Sequence, residues 1–284
     1  MKIPFYTLST LLMLLMLAGP ASAINYDMGC VERYSDAGFP TSANVSLTCD
    51  ATDGFSAWFN IYGTHNRRFY WQNTLVWPSD YTEDSFSGGS DNFESDWSSA
   101  DLAVFSGHGS CQNPPVASSP DFIITAKPGS SANFVNINSS MRLGEFPGSG
   151  VFGSNGNLNT LMINASCPMD LTSLTTQWWD VFQGLHLAMG HSGTSTQDNL
   201  DSNQKLPTVG MYLSPATFFG SSSYRTAWMS AGLIDVQSGV CAVITGTGRT
   251  EGEAVARRDF ETPTIRIGDA MPPTWIAWRW TCKG

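Results

Sequence analysis

Short, uninterrupted apolar runs alternate along the chain with polar and glycine-rich stretches. The runs at residues 102–105, 161–165 and 184–190 are each bounded by Gly, Pro or polar residues. Runs of this length suit strands that are buried on both faces, as in a parallel sheet covered by helices. They predict an α/β fold built on a mainly parallel sheet.

The segments around these runs predict the flanking elements. Apolar residues three or four positions apart in 171–182 predict an amphipathic helix between the second and third runs. Strand, helix and strand in this order form the right-handed crossover of a parallel sheet. Further helices are predicted within 209–219, 224–236 and 251–258, and further strands at 122–125, 240–244 and 275–280.

The N-terminal part of the chain has a different pattern. Residues 45–48 and 57–62 alternate in the manner of strands, so we predict an N-terminal strand pair with loops within 24–64. The last strand, at 275–280, also alternates. Together these segments predict antiparallel strands at both ends of the chain.

The first 23 residues have the layout of a secretory signal peptide. Lys2 precedes an apolar stretch at 5–17, which is followed by Ala21, Ser22 and Ala23. We predict cleavage after Ala23 and a secreted or periplasmic protein. No later stretch reaches the apolar length of a membrane span, so we expect no membrane partner once the leader is removed.

Residues 24–284 are enough for one large α/β domain with a sizeable core. Within it, residues 112–159 form a long loop insertion rich in Pro, Gly, Ser and Asn. Loops of such length are usually functional or disordered, and this one starts at the end of the first central strand. We expect it to cover a site there.

The charge balance narrows the class of partner. The chain has 14 Lys and Arg against 24 Asp and Glu, a net charge of −10. Removing Lys2 with the leader gives 13 minus 24, or −11. This balance argues against nucleic acid and against anionic membrane surfaces as partners. The charge balance does not indicate which oligomeric state the protein has.

Six cysteines follow the leader, and an oxidising compartment favours their pairing. Proximity favours a bond between Cys30 and Cys49 and another between Cys241 and Cys282. Cys111 and Cys167 are then left at the ends of the two central strands, about the right distance apart for a bridge if those strands are neighbours.

Both central strands end in residues that can do chemistry. The first ends in Ser106, Gly107, His108 and Gly109, and the second in Ser166, Cys167 and Pro168. In parallel sheets, ligands collect outside the carboxyl ends of the strands. If the two strands are neighbours, His108 and Cys167 face one crevice as a base beside a nucleophile.

This pair of strand ends resembles the caspase, legumain and gingipain group of cysteine peptidases over about residues 101–190. The resemblance implies a caspase-like sheet and a hydrolase that acts on peptides or proteins. We expect no cofactor or metal, because His186 and His191 lack the spacing of the zinc-peptidase motif. It implies that Cys167 is the nucleophile, His108 the base and the amide of Gly109 an oxyanion donor. We expect the Cys167 amide to be a second donor. A shift of one residue would put Ser166 in the nucleophile position instead.

A second hypothesis follows from the cysteines. If Cys111 and Cys167 form a disulfide, the proposed nucleophile is used up. The chain would then be a non-catalytic exported binding protein with the same fold.

A third hypothesis is a serine hydrolase that uses Ser192. The sequence from Gly190 to Thr194 is similar to the Gly-x-Ser-x-Gly nucleophile elbow, but no His follows His191, as the order of that hydrolase fold requires. His191 remains a reserve polar residue for the crevice. We expect His186 to be a core imidazole with a hydrogen bond inside the sheet.

Overall fold

The computed structural model describes residues 23–34, 44–61, 65–92, 100–110, 121–123, 134–137, 139–144, 158–170, 174–193, 204–215, 222–235, 239–269 and 271–283. The strands in these residues are β1 Asn25–Cys30, β2 Asn66–Gln72, β3 Leu102–Ser106, β4 Gly109–Ser110, β5 Asp121–Ile123, β6 Phe134–Asn136, β7 Thr160–Asn164, β8 Leu187–Ser192, β9 Cys241–Gly248 and β10 Trp275–Cys282. The helices are α1 Thr48–Phe59, α2 Leu174–Gln177, α3 Lys205–Leu213, α4 Tyr224–Asp235 and α5 Glu251–Phe260.

Seven strands form one mixed sheet in the order β10-β9-β8-β7-β3-β1-β2. The strands from β2 to β8 in this order are parallel, while β9 is antiparallel to β8 and β10 is antiparallel to β9. The mainly parallel α/β sheet and the antiparallel strands at its C-terminal end are therefore confirmed. A smaller antiparallel sheet has the order β4-β5-β6.

The expectation of antiparallel strands at the N-terminal end was wrong. Both β1 and β2 run parallel to β3, and α1 lies between β1 and β2 along the chain. Parallel neighbours need a crossover connection of a dozen or more residues, which α1 and its flanking loops provide.

The two central strands are neighbours, as the apolar runs predict. β3 pairs with β7 in parallel, from Leu102 opposite Thr160 to Ser106 opposite Asn164. Every residue of both strands is buried. Their carboxyl ends therefore meet at one edge of the sheet.

The sheet is covered on both faces. On one face, α1, α3 and α4 pack on the strands, with Phe55, Leu206 and Trp228 among the core side chains. On the other face, the core contains Tyr81, Trp178 and Phe182 together with inward-facing residues of β3, β7 and β8. This is the layered arrangement that buried parallel strands require.

The segment 57–62 is not a strand where it is described. Residues 57–59 form the last turn of α1, whose buried positions include Cys49, Thr52, Phe55 and Phe59. Their spacing of three or four residues is helical, whereas Trp58, which suggested alternation, is 41% exposed. The disulfide between Cys30 and Cys49 ties this helix to the end of β1.

The predicted helix at 171–182 is much shorter than expected. Only α2 is helical, and residues 171–173 lie outside the described part of the chain. Phe182 instead forms a β-bridge with Leu143, and the Leu143 amide donates to the Val181 carbonyl at 2.7 Å. Trp178 and Phe182 are still buried, so the spacing correctly indicated core positions but not their backbone conformation.

The remaining elements agree with the sequence patterns. β5, β9 and β10 overlap the strands predicted at 122–125, 240–244 and 275–280, and α3, α4 and α5 overlap the predicted helices. The bonds Cys30–Cys49 and Cys241–Cys282 confirm the pairing by proximity. The leader and most of the 112–159 insertion lie outside the described residues. In the part of the chain that is described, no helix has both the length and the apolar character needed to cross a bilayer.

The stability of the fold depends on pH through one buried histidine, His65. His65 stacks on Phe59 with ring centroids 4.2 Å apart, and its Nδ1 accepts a hydrogen bond from the Ile24 amide at 3.4 Å. Burial lowers the pKa of His65 to about 4. A histidine in an unfolded chain has a pKa of about 6.5. The unfolded chain therefore binds this proton first, and stability is lost as the pH falls from about 6.5 to about 4.

We expect the free energy of unfolding, measured by urea titration between pH 7 and pH 4, to fall less steeply in His65→Phe than in the wild type. Phenylalanine keeps the stack on Phe59 but has no proton to bind. Because the Ile24 amide loses its acceptor, the variant should be less stable at pH 7. Equal slopes in the two proteins would contradict the assignment.

Candidate functional site

The ends of β3 and β7 are joined by hydrogen bonds at and just after their last paired residues. The Gly107 amide donates to the Asn164 carbonyl at 3.2 Å, and Asn164 Nδ2 donates to Ser106 Oγ at 3.0 Å. Continuing the register by two residues places His108 level with Ser166. The structure thus brings His108 and the Ser166–Cys167 pair to the same edge of the sheet.

Glycine is required on both sides of His108 by close packing. A Cβ on Gly109 would lie 1.9 Å from the Ser166 carbonyl oxygen, and one on Gly107 would lie 2.5 Å from the Tyr34 hydroxyl. Only a residue without a side chain allows such an approach. The backbone of Gly109 therefore lies directly against the turn that carries Cys167.

The side chain of Tyr34 packs against the loop that carries His108 and binds its backbone. Its side chain is fully buried, and its hydroxyl oxygen accepts a hydrogen bond from the His108 amide at 2.6 Å. The two rings are 4.5 Å apart between centroids. Burial raises the pKa of Tyr34, so the phenol stays neutral. The sequence reading missed this residue because it lies 74 positions from His108 and no local pattern connects them.

The chain turns back sharply after β7. Cys167 has a φ of 61°, in the left-handed region, and its amide donates to the Gly193 carbonyl at 3.1 Å. The Met169 amide donates to the His191 carbonyl at 3.0 Å, so this segment pairs with the end of β8. The Cys167 amide, which we expected to be an oxyanion donor, is thus bonded to a carbonyl within the protein.

The sulfur of Cys167 is also engaged. Cys167 is disulfide-bonded, and there is no free cysteine in the described residues. The bonds Cys30–Cys49 and Cys241–Cys282 account for four of the six cysteines. The sequence leaves only Cys111 as a further cysteine, and that residue lies outside the described part of the chain. In this state Cys167 has no thiol to act as a nucleophile.

The alternative nucleophile, Ser166, lies in the same turn. Its side chain is only 7% exposed, and its carbonyl oxygen is packed against Gly109. Ser166 and Cys167 are thus equally buried in this turn.

His191 does not reach this crevice. It is fully buried on the helix-covered face of β8, where both of its ring nitrogens contact the Lys205 ammonium group. That ammonium group lies 4.2 Å from the centroid of the Trp228 ring. Trp228 in turn donates from Nε1 to the Gly190 carbonyl at 3.2 Å. Lys205 and Trp228 were missed because both lie in helices and meet His191 only through the tertiary fold.

Ser192 lacks the setting of a nucleophile elbow. It is the last residue of β8 and pairs with Cys241 of β9, whereas the elbow places its serine on a sharp turn from strand to helix. Within the described residues, no side chain forms a hydrogen bond with the Ser192 hydroxyl. Residues 194–200 lie outside that part of the chain.

His186 lies at the opposite edge of the sheet, just before β8. It is 1% exposed, and its Nδ1 lies 2.7 Å from Glu261 Oε1. His186 is therefore a buried, hydrogen-bonded imidazole as expected, although its partner follows α5 and is not part of the sheet. Across the described residues, no group of three or more His, Cys, Asp or Glu side chains is arranged to hold a metal ion.

Comparison with known protein families gives a match over most of the chain. A protein-family model described as a domain of unknown function, DUF6345, matches residues 30–282. Neither the curated proteins nor the solved structures contain a match to the chain.

Replacing Gly109 by alanine should destabilise the protein by about 1–3 kcal/mol, because the new methyl group would overlap the Ser166 carbonyl. Urea unfolding with an intact disulfide set measures this change. Gly252→Ala is the matched control. Gly252 lies in α5, and a Cβ added there would meet nothing within 4 Å. Alanine should stabilise that helix by about 0.5–1 kcal/mol. A Gly109→Ala protein as stable as the wild type would refute the close approach.

Proposed function

The chain belongs to the DUF6345 family, and we propose that it is an exported α/β protein of caspase-like architecture that binds peptides at the ends of β3 and β7 without cleaving them. The observation that carries this proposal is the disulfide-bonded state of Cys167. The attacking species in a cysteine peptidase is the thiolate, and a sulfur held in a disulfide cannot form one.

The backbone around Cys167 supports the same conclusion. Its amide is bonded to the Gly193 carbonyl, and its left-handed conformation belongs to a turn that is pinned to β8. Oxyanion stabilisation needs donors that are aimed at the reacting oxygen before the reaction begins. A buried amide that is bonded to another carbonyl is not such a donor.

A binding role uses the features that remain. Ligands of parallel α/β sheets bind outside the carboxyl ends of the strands, where the half-buried side chain of His108 lies. The hydrogen bond from the His108 amide to Tyr34 and the close approach of Gly109 to the Ser166 carbonyl both fix this loop. His108 therefore lies on a rigid backbone. Peptides are the proposed ligands because the group that the strand ends resemble acts on peptides.

The export part of the proposal has two supports. The bonds Cys30–Cys49 and Cys241–Cys282 indicate an oxidising environment such as the cell exterior or the periplasm. The first 23 residues have the composition of a secretory leader.

A second function is favoured by the position of His108 beside the Cys167 turn. A dithiol reductant that opens the disulfide would itself be oxidised and would release the Cys167 thiol next to an imidazole. The reduced protein would then be a cysteine hydrolase with the dyad His108 and Cys167, and the oxidised protein would be its inactive form.

Two assays on the full mature protein separate these functions. Cleavage is measured with a fluorogenic peptide mixture that covers all residues at the cleavage position, before and after treatment with dithiothreitol. Binding is measured by fluorescence polarisation of a labelled random hexapeptide pool. We expect binding without cleavage in both redox states. His108→Ala should weaken binding about fivefold or more, as loss of one hydrogen bond does, while the exposed substitution Glu251→Gln should leave it unchanged.

Cleavage that requires reduction and is lost in both Cys167→Ala and His108→Ala would replace the binding role with the redox-controlled hydrolase. Absence of saturable peptide binding would contradict the binding role in its own right.

A further inference from the structure

A cleft lies between α4 and the outermost strand β10. It has a volume of about 300 Å³ and is lined by Arg225, Thr226, Met229, Ser230, Arg279, Trp280 and Thr281. This volume is at the lower end of the range for small-molecule sites. Two arginines and three hydroxyl-bearing residues make up most of this lining.

The arginines around this cleft outnumber their carboxylate partners. Arg258 binds Asp259 through two parallel hydrogen bonds of 2.7 and 2.9 Å. Arg225 reaches the same carboxylate only at 3.5 Å. In the described residues, no hydrogen bond or ion pair engages the Arg279 guanidinium group. These arginines lower the pKa of Asp259, chiefly through the hydrogen bonds from Arg258, so the carboxylate stays charged and the cluster keeps a net charge of +2.

This positive cluster stands out in an acidic chain. Residues 222–283 hold 7 of the 14 Lys and Arg but only 6 of the 24 Asp and Glu. The rest of the chain therefore holds 7 basic and 18 acidic residues, a net charge of −11, against +1 for residues 222–283. An anionic ligand is repelled by most of the surface and attracted to this cleft.

The strand register shows which side chains of β10 face the cleft. Arg279 and Thr281 pair with Ile244 and Ala242, whose side chains belong to the helix-covered core, so they face α4. Trp280 alternates to the other face, opposite Val243. Because β10 is the edge strand, Trp280 is 50% exposed on that other face, and the side chains of β10 that face the cleft are those of Arg279 and Thr281.

We propose that this cleft binds an acidic saccharide, with the carboxylate or sulfate group on Arg225 and Arg279 and the sugar hydroxyl groups on Thr226, Ser230 and Thr281. The arginine fork suits a planar or tetrahedral oxyanion, and the three hydroxyl groups suit sugar hydroxyls. The cavity holds one or two sugar rings.

This site is separate from the ends of β3 and β7. β10 lies three strand spacings from β7, or about 14 Å, and contributes no residue to the His108 loop. Saccharide binding here therefore does not depend on whether the strand ends bind or cleave peptides.

Isothermal titration calorimetry of the full mature protein tests the proposal. Trigalacturonate and a heparin-derived tetrasaccharide serve as carboxylated and sulfated probes. Maltotriose, sodium sulfate and hexaglutamate serve as comparisons. We expect saturable binding of at least one acidic saccharide, about tenfold or more tighter than any comparison. The probe that binds identifies the acidic group.

The variants assign the binding to the cleft. Arg279→Gln should weaken it about tenfold or more, the loss expected for one charge-assisted hydrogen bond, and Arg279→Lys should lie between it and the wild type. Thr281→Val, which removes a hydroxyl group from the lining, should also weaken it. The controls are Trp278→Ala, on the same strand but outside the cleft lining, and the exposed substitution Arg249→Gln. Equal losses in the controls, equally tight binding of hexaglutamate, or no saturable saccharide binding would each overturn the proposal. Unchanged thermal unfolding midpoints establish that the variants are folded.

Discussion

The contact between the Gly109 backbone and the Ser166 carbonyl is the constraint on which the strand-end crevice depends. Parallel pairing of β3 and β7 brings the two exit loops together, and the absence of a side chain at Gly109 lets them touch. Tyr34 then supports the loop from the other side through the His108 amide. The result is a histidine on a rigid backbone at the edge where parallel sheets bind ligands.

The same contact limits the chemistry of the second strand end. The chain after β7 must turn away at once, and Cys167 does so in a left-handed conformation with its amide bonded to Gly193. Both groups that a cysteine peptidase would need from this residue, the thiol and the amide, are engaged in holding the turn.

Much of the sheet could be predicted from sequence, because strands buried on both faces leave unbroken apolar runs. Residues 102–105 and 161–165 therefore identified β3 and β7 and their shared edge. α1 could not be identified this way, because its exposed Trp58 imitates the alternation of a strand. The helix expected at 171–182 was lost to a β-bridge with Leu143, a contact that no local pattern encodes.

The candidate site was predictable to a similar extent. His108, Gly109, Ser166 and Cys167 were found because they directly follow recognisable strands. The supports of the site, Tyr34 and the Gly193 carbonyl, come from distant parts of the chain and only the tertiary fold brings them in. Whether Cys167 acts as a nucleophile depends on its disulfide, and cysteine spacing alone left that pairing open.

Peptide mapping by mass spectrometry shows directly whether Cys167 is held in a disulfide. The purified mature protein is alkylated with iodoacetamide without reduction, digested and mapped. We expect the peptide containing Cys167 to carry no alkyl label and to be linked through a disulfide to the peptide containing Cys111. An alkylated Cys167, with the label lost when His108 is replaced by alanine, would reveal an activated thiol and contradict a non-catalytic strand end.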